Sequence, residues 1–239
     1  MDAKSRKFLF DLLATGTPSG YEEPGQAVVR KYLAPFADQV RTDVHGNLHA
    51  VKNPKAPFRV MFTGHVDEIG LMVMHIDEKG YLSVARVGGV YVPGLQGQRV
   101  VLHTAKGPVP GVIGVKPIHL MSAKERDAAV TEIDKIWIDI GAKDKAEAEK
   151  WVALGDVATI DVPPREMVGG RFVARGLDDR IGVFVVAEAL RLLAKAKINV
   201  ALHVVSTVQE EIGLRGARTS AFSVEPHIGV AVDVGFATD

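Results

Sequence analysis

Cysteine is absent from the 239 residues, which excludes disulfides and thiolate metal sites and leaves His, Asp and Glu as the strong ligands available. Charge of one sign is not in excess either. Lys plus Arg and Asp plus Glu both number 29, so nothing in the balance argues for nucleic acid or an anionic lipid surface as a partner. The first residues, MDAKSRKFLFDLLATG, carry charge on both sides of a short apolar stretch and no cleavage pattern, and read as an amphipathic helix rather than a signal peptide. Long apolar runs of bilayer length are missing as well. The expected location is therefore the cytoplasm, with no membrane partner. What is present is 47% apolar and 24% charged residues with 24 Gly and 12 Pro, the balance of a globular protein rich in tight turns. The length suits one large domain or a core with an inserted second domain.

Periodicity favours the insertion. Phe8, Leu9, Leu12 and Leu13 sit at helical spacing within Lys4–Leu13, Thr17-Pro18-Ser19-Gly20 breaks the pattern, and a second helix is expected over Glu22–Leu33. Val40–Val51, turning at His45-Gly46-Asn47, and Phe58–Gly64 read as strands, the second an apolar run of the kind buried on both faces. From about Ile69 to Pro164 the character changes to short β-branched runs (LMVMHI, YLSVARV, QRVVLHT, PGVIGV, KIWIDI) separated by turn residues, which predicts a small antiparallel barrel or sandwich. Short polar helices are expected within it at Ser122–Val130 and Asp144–Val152, the latter capped by Asp144. After Gly176 a helix is predicted over Asp179–Ala196 with Ile181, Val185, Ala189 and Leu192 on its apolar face, followed by the strands ALHVVSTV and HIGVAVDV. The chain thus divides into an α/β domain (1–68), an inserted β-rich domain (69–165) and a return to the α/β domain (166–239).

The chemistry-bearing residues cluster at predicted strand ends. His65 and Asp67 end one strand, Glu210 and Glu211 a second and Asp233 a third, while Asp178 and Asp179 open the long helix. Ligands of open α/β sheets collect at the carboxyl ends of strands, so these groups are expected to converge. Converging carboxylates repel unless cations neutralise them, and one imidazole with several carboxylates suits zinc, cobalt or manganese better than calcium or magnesium. Four protein ligands, His65, Asp178, Glu211 and Asp233, exceed what a single catalytic zinc needs and match a pair of ions, with Asp178 as the bridge. Asp67, two residues from His65 on the same side of an extended segment, is placed to orient the imidazole. Neighbouring side chains diverge, so Glu211 is assigned to metal and Glu210 to water as general base. Singly, each of these residues is more readily a cap, turn or core residue; their convergence is what argues for a site. His45, His49, His75, His103, His203 and His227 lack a comparable carboxylate context and read as structural or surface residues, and His119, in a Pro-containing loop, stays open.

Together TPSGYE (17–22), GHVDEIGLMV (64–73), VGG, GQRV (97–100), GLDDRIGV (176–183), VQEEIGLRGA (208–217) and AVDV (231–234) resemble the M42 family of metallo-aminopeptidases, some of whose members carry the label endoglucanase or cellulase. The resemblance covers the whole chain in the family's order. It implies a zinc-peptidase-like three-layer α/β/α catalytic domain interrupted by a small β-barrel domain that serves dimerisation and oligomerisation. It also implies two divalent ions, zinc or alternatively cobalt or manganese, and removal of N-terminal residues from short peptides by a metal-bridged water. Assembly into dimers and then a dodecamer follows from the same likeness. Carried over residue by residue, the family's ligands fall on His65, Asp178, Glu211 and Asp233, its catalytic Glu on Glu210, and the acid that orients the His on Asp67. Family members continue beyond AVDV with a second histidine ligand, so a C-terminally incomplete catalytic domain is expected here. The alternative to an enzyme is then a catalytically deficient member acting as an assembly subunit or fragment. Glycoside hydrolysis, which needs two suitably spaced carboxylates and no metal, is the weaker rival.

Overall fold

The computed structural model describes residues 1–123 and 132–236 and separates into two compact units, Met1–Glu68 with Val162 onward, and Ile69–Asp161. The first unit contains helices α1 (Ala3–Ala14) and α2 (Glu23–Leu33) and strands β1 (Gln39–Thr42), β2 (Leu48–Lys52) and β3 (Arg59–His65). The second contains β4 (Gly70–Ile76), β5 (Leu82–Val87), β6 (Arg99–Thr104), β7 (Gly107–Val115), β8 (Ile136–Asp139), the short helix α3 (Lys145–Ala148) and β9 (Val157–Ile160). The first then resumes with a two-residue hairpin, β10 (Arg165–Glu166) and β11 (Phe172–Val173), followed by α4 (Leu177–Leu193), β12 (Ala201–Thr207), α5 (Arg215–Val224) and β13 (Ile228–Ala231).

In the first unit the sheet runs β1-β2-β12-β3-β13, with β12, β3 and β13 mutually parallel and β1 and β2 antiparallel additions. Alternation along β12 sorts its side chains between two layers. Leu202 and Val204 pack with Phe8 and Leu12 of α1, Val29 and Leu33 of α2, and Val183, Val186 and Leu190 of α4. Val205 instead joins Met61 of β3 and Val224 of α5. Helices on both faces of a mixed sheet make the three-layer α/β/α arrangement expected from the sequence.

The apolar face of α4 is a correction. Val185 and Leu192 are exposed, and the buried stripe is Val183, Val186, Ala187 and Leu190. This helix is apolar on several sides, so periodicity alone does not choose its rotation. The choice is made at its first turn, where Asp179 and Arg180 are fully buried and set which residues face inward. Its opening is also irregular: Asp178 and Asp179 have non-helical backbone angles and are joined by a cis peptide, so the regular turns begin at Arg180.

The second unit is a closed antiparallel barrel in the order β4-β5-β8-β7-β6-β9 around a core that includes Leu71, Leu82, Val100, Leu102, Ile113 and Ile138. Strand β9 was not among the runs singled out by sequence, because VATI is only four residues long and sits between turn residues. The cap at Asp144 is present, its carboxylate accepting the Glu147 N–H at 2.8 Å, although the helix ends at Ala148 rather than Val152. The helix expected at Ser122–Val130 falls largely outside the described residues. Among those described, no helix is long and apolar enough to cross a membrane.

Close packing of α4 on β3 requires a glycine. A Cβ at Gly64 would lie 2.6 Å from backbone atoms of both Gly182 and Val183, which no side-chain rotation can relieve. Gly64→Ala should therefore cost about 1–3 kcal/mol by overpacking, read as a lowered denaturation midpoint. Gly229→Ala, where nothing lies within 4 Å of the added carbon, is the control expected to leave that midpoint unchanged.

Candidate active site

Strand register builds the site. Thr207 pairs with His65 across β12 and β3, and Ala231 pairs with Thr63 across β13 and β3. Carrying the second register two residues on brings Asp233 level with His65, and carrying the first on brings the 208–211 loop level with Val66–Glu68. The parallel strands thus end together, as Asp178 enters from the irregular start of α4. Ligand atoms of His65, Asp178 and Asp233 all lie within 4.8 Å of one another, with His65 Nε2 3.1 Å from Asp178 Oδ1. Glu210 comes to 3.7 Å of the same nitrogen through Oε2. Glu211 is not in the 4.8 Å triad, but its carboxyl responds to the charge of Asp178.

Beneath these groups lies Asp67, fully buried and bonded on every side. It accepts from Ser19 Oγ at 2.6 Å and from the backbone N–H groups of Glu210 and Glu211 at 3.0 and 3.2 Å. The His65 Nδ1 sits 3.4 Å from its carboxylate and 3.0 Å from its backbone oxygen, so the imidazole presents Nε2 to the cluster. Burial opposes the charge on Asp67, but these hydrogen bonds hold its pKa below the usual carboxylate range.

The other acids shift the opposite way. Burial, with the charge of Asp178, pushes Glu211 up to about 7. Burial, with Asp233 adding to it against the opposing charge of His65, pushes Asp179 up to about 7. Glu210 is raised by burial and by Asp67, Asp233 and Asp178, against the opposing charge of His65. Burial disfavours the imidazolium of His65, yet Asp67, Asp179 and Glu210 outweigh it and raise its pKa to about 9. Among the described residues no Lys or Arg pairs with Asp178, Asp179, Glu210, Glu211 or Asp233, and His65 is the one cation the cluster has. A cluster with one imidazole and several uncompensated carboxylates has the donor chemistry for divalent cations of the zinc type.

Two roles were not read from sequence. Asp179 is a brace: its carboxylate accepts the His65 N–H at 3.2 Å and the Gly182 N–H at 3.0 Å, deep under α4. The adjacent Asp178-Asp179 pair was the available signal, since neighbours on an irregular backbone face different ways. Ser19 and Glu22 of TPSGYE reach the site loops as well, because Thr17–Ser19 runs beside Val66–Glu68 and exchanges backbone bonds with Glu68. Of the histidines set aside, His49 is a correction: it does have a carboxylate, the half-buried Asp43 Oδ2 at 3.0 Å, but the ring is buried beside the β1–β2 turn and the pair acts structurally. His119 stands on an exposed turn of the barrel unit.

These shifts give a signed pH dependence. Glu211 and Asp179 keep protons in the folded chain up to about pH 7 that the unfolded chain releases near 4, so their protonated forms stabilise at low pH and that stability is lost toward 7. His65 contributes stability below about 6.5 that is lost as pH rises through about 9. The chain in chelator should therefore lose melting temperature steadily between pH 5 and 9 in scanning fluorimetry, and zinc, cobalt or manganese should abolish most of that loss. A flat profile in chelator would refute the charge assignment.

Similarity to known proteins agrees with the architecture. The profile of the family described as M42 glutamyl aminopeptidase matches residues 46–239. The lysyl aminopeptidase of Pyrococcus furiosus is 39% identical over 221 residues, which cover 92% of this chain and 63% of that protein. The TET aminopeptidase structure from a marine sediment thaumarchaeon superposes with a TM-score of 0.95 at 36% identity, covering 99% of this chain and 68% of that one. The TET1 peptidase of Pyrococcus horikoshii, described as assembling into a tetrahedron or a large octahedral shell, gives 0.87 at 35% identity over 96% and 68%. The chain therefore spans about two thirds of the length of the proteins it matches.

Proposed function

Since the chain belongs to the M42 glutamyl aminopeptidase family, we propose that it carries the hydrolytic centre of an aminopeptidase that removes N-terminal residues from short peptides, with His65, Asp178, Glu211 and Asp233 holding two divalent ions. The observation that carries this reading is the convergence of His65, Asp178 and Asp233 within 4.8 Å beside a half-buried Glu210 whose Oε2 lies 3.7 Å from His65 Nε2. Bound divalent ions supply Lewis acidity, which polarises a carbonyl and acidifies water. Asp67 orients the His65 ring through Nδ1, and Asp179 holds the His65 backbone. Glu210, whose proton affinity is raised by burial and by the neighbouring acids, accepts a proton from the attacking water and returns it to the leaving amine. Asp178, exposed at the mouth of the cluster and 3.1 Å from His65 Nε2, would supply a carboxylate to the ions. The two units correspond, on this reading, to the catalytic domain and the inserted assembly domain. Exposed Tyr91, Ile118, Leu120, Trp151 and Leu154 on the barrel unit supply apolar surface for contacts between copies of the chain.

Glu210→Gln should lower kcat on an aminoacyl-anilide by about 10²–10⁴-fold while zinc content stays that of the parent chain. Residual activity within ten-fold of the parent would remove the base role from Glu210. Light scattering should return a mass that is a multiple of 25.7 kDa, and a monomer at micromolar concentration would count against self-assembly.

A further inference from the structure

The amides of the loop after β12 are held by side chains from other elements, while its carbonyls at Val208, Gln209 and Glu210 accept from the backbone N–H groups of Gly213, Leu214, Arg215 and Gly216 that lead into α5. Four consecutive amides donate to three buried acceptors: Val208 to Asn47 Oδ1 (3.1 Å), Gln209 to Glu22 Oε1 (3.2 Å), and Glu210 and Glu211 to the two oxygens of Asp67 (3.0 and 3.2 Å). Asn47 and Asp67 have no exposed surface and Glu22 is 7% exposed. Gln209 is the demanding position, because its φ of 56° lies in the left-handed region. A non-glycine residue is unfavourable there by about 1–2 kcal/mol and stays only where its surroundings hold it. The one side chain that bonds the Gln209 amide belongs to Glu22.

Glu22 is also not used where its position suggests. It precedes α2 yet makes no side-chain cap; its carboxylate turns back to the Gly20 N–H at 2.8 Å and across to Gln209. We infer that Glu22 is a positioning residue for Glu210, holding the Gln209 peptide in the left-handed turn that aims the next side chain at His65 Nε2. The inference rests on the reading of Glu210 as general base. The lever is short: one peptide separates the bonded amide from the Cα of Glu210, so a tilt there is carried directly to the carboxylate, and misplacement by about 1 Å costs about 10²-fold in rate. A competing role exists on the same residue, because Glu22 lines a cavity of about 850 Å³ with Tyr21, Glu23, Gln26 and Arg30, where its charge could meet a ligand.

Two conservative variants separate these roles. Glu22→Gln keeps a carbonyl acceptor at the same reach and removes the charge; Glu22→Asp keeps the charge and withdraws the acceptor by one methylene. Both are compared with the parent chain, loaded with zinc, in aminoacyl-anilide kinetics and in amide hydrogen exchange of the 205–214 segment. Positioning predicts E22Q within three-fold of the parent, and E22D with kcat lowered about 10- to 100-fold, KM within three-fold and the Gln209 and Glu210 amides exchanging at least ten-fold faster. E22D at parental rate and protection, or E22Q as impaired as E22D, overturns the inference. Exchange needs no turnover, so a chain that fails to hydrolyse the anilide refutes the proposed function while Gln209 protection still decides whether Glu22 holds the turn. Glu210→Gln at parental rate would remove the base role without altering that result.

Discussion

Like charges forced together at one edge of a sheet are the constraint on which the first unit turns. Register alone brings His65, Asp233 and the 208–211 loop level with one another, and the start of α4 adds Asp178 and Asp179. Burial raises the proton affinities of Glu210, Glu211 and Asp179, and the neighbouring carboxylates add to that rise. Three parallel strands, closed on both faces by helices, fix where the backbones of these groups end.

A few residues away the same unit resolves its charges completely. Glu68 and Arg180 are both buried and bonded at 2.6 Å, Arg175 adds a second guanidinium, and Thr17 contributes its backbone N–H to Glu68 and its hydroxyl oxygen to Arg180. Removing one partner from such a pair leaves an unpaired buried charge, typically at a cost of about 3–5 kcal/mol. The contrast is informative. Around Glu68 the chain supplies two arginines; at the strand ends, among the described residues, it supplies one imidazole. The scarcity of basic side chains beside these acids, among the described residues, is consistent with the cation-binding role proposed for them.

Rigidity at the site comes from an inversion of the usual roles of backbone and side chain. Asp67, Asp179, Asn47 and Glu22 are buried acceptors whose partners are main-chain amides of the segments that carry the functional groups. A strand end normally leaves such amides to water, and here each is satisfied by a side chain fixed in the core, so the exposed groups stand on a backbone with few alternatives. Packing helps hold those acceptors: α4 approaches β3 so closely that a Cβ at Gly64 would meet the α4 backbone, and a Cβ at Gly182 would meet the Asp179 carboxylate.

While the three-layer class came from the family resemblance, period and spacing in the sequence were enough to give the first two helices, the strands around the site, the long helix, the change to a β-rich segment after His65-Val66-Asp67, and the grouping of chemistry-bearing residues at strand ends. These are local properties, since a two- or four-residue repeat and a Gly or Pro break are written in neighbouring residues. Tertiary structure decided what depends on distant pairs. It chose the rotation of α4, through burial of Asp179 and Arg180, against an apolar pattern that permitted several faces. It closed the barrel with the four-residue β9, and it tied TPSGYE, near the start of the chain, to a loop almost two hundred residues later. Sequence spacing can place a carboxylate at a strand end; which amide it holds, and therefore which side chain it aims, is settled only when segments remote in the chain are brought within hydrogen-bond reach.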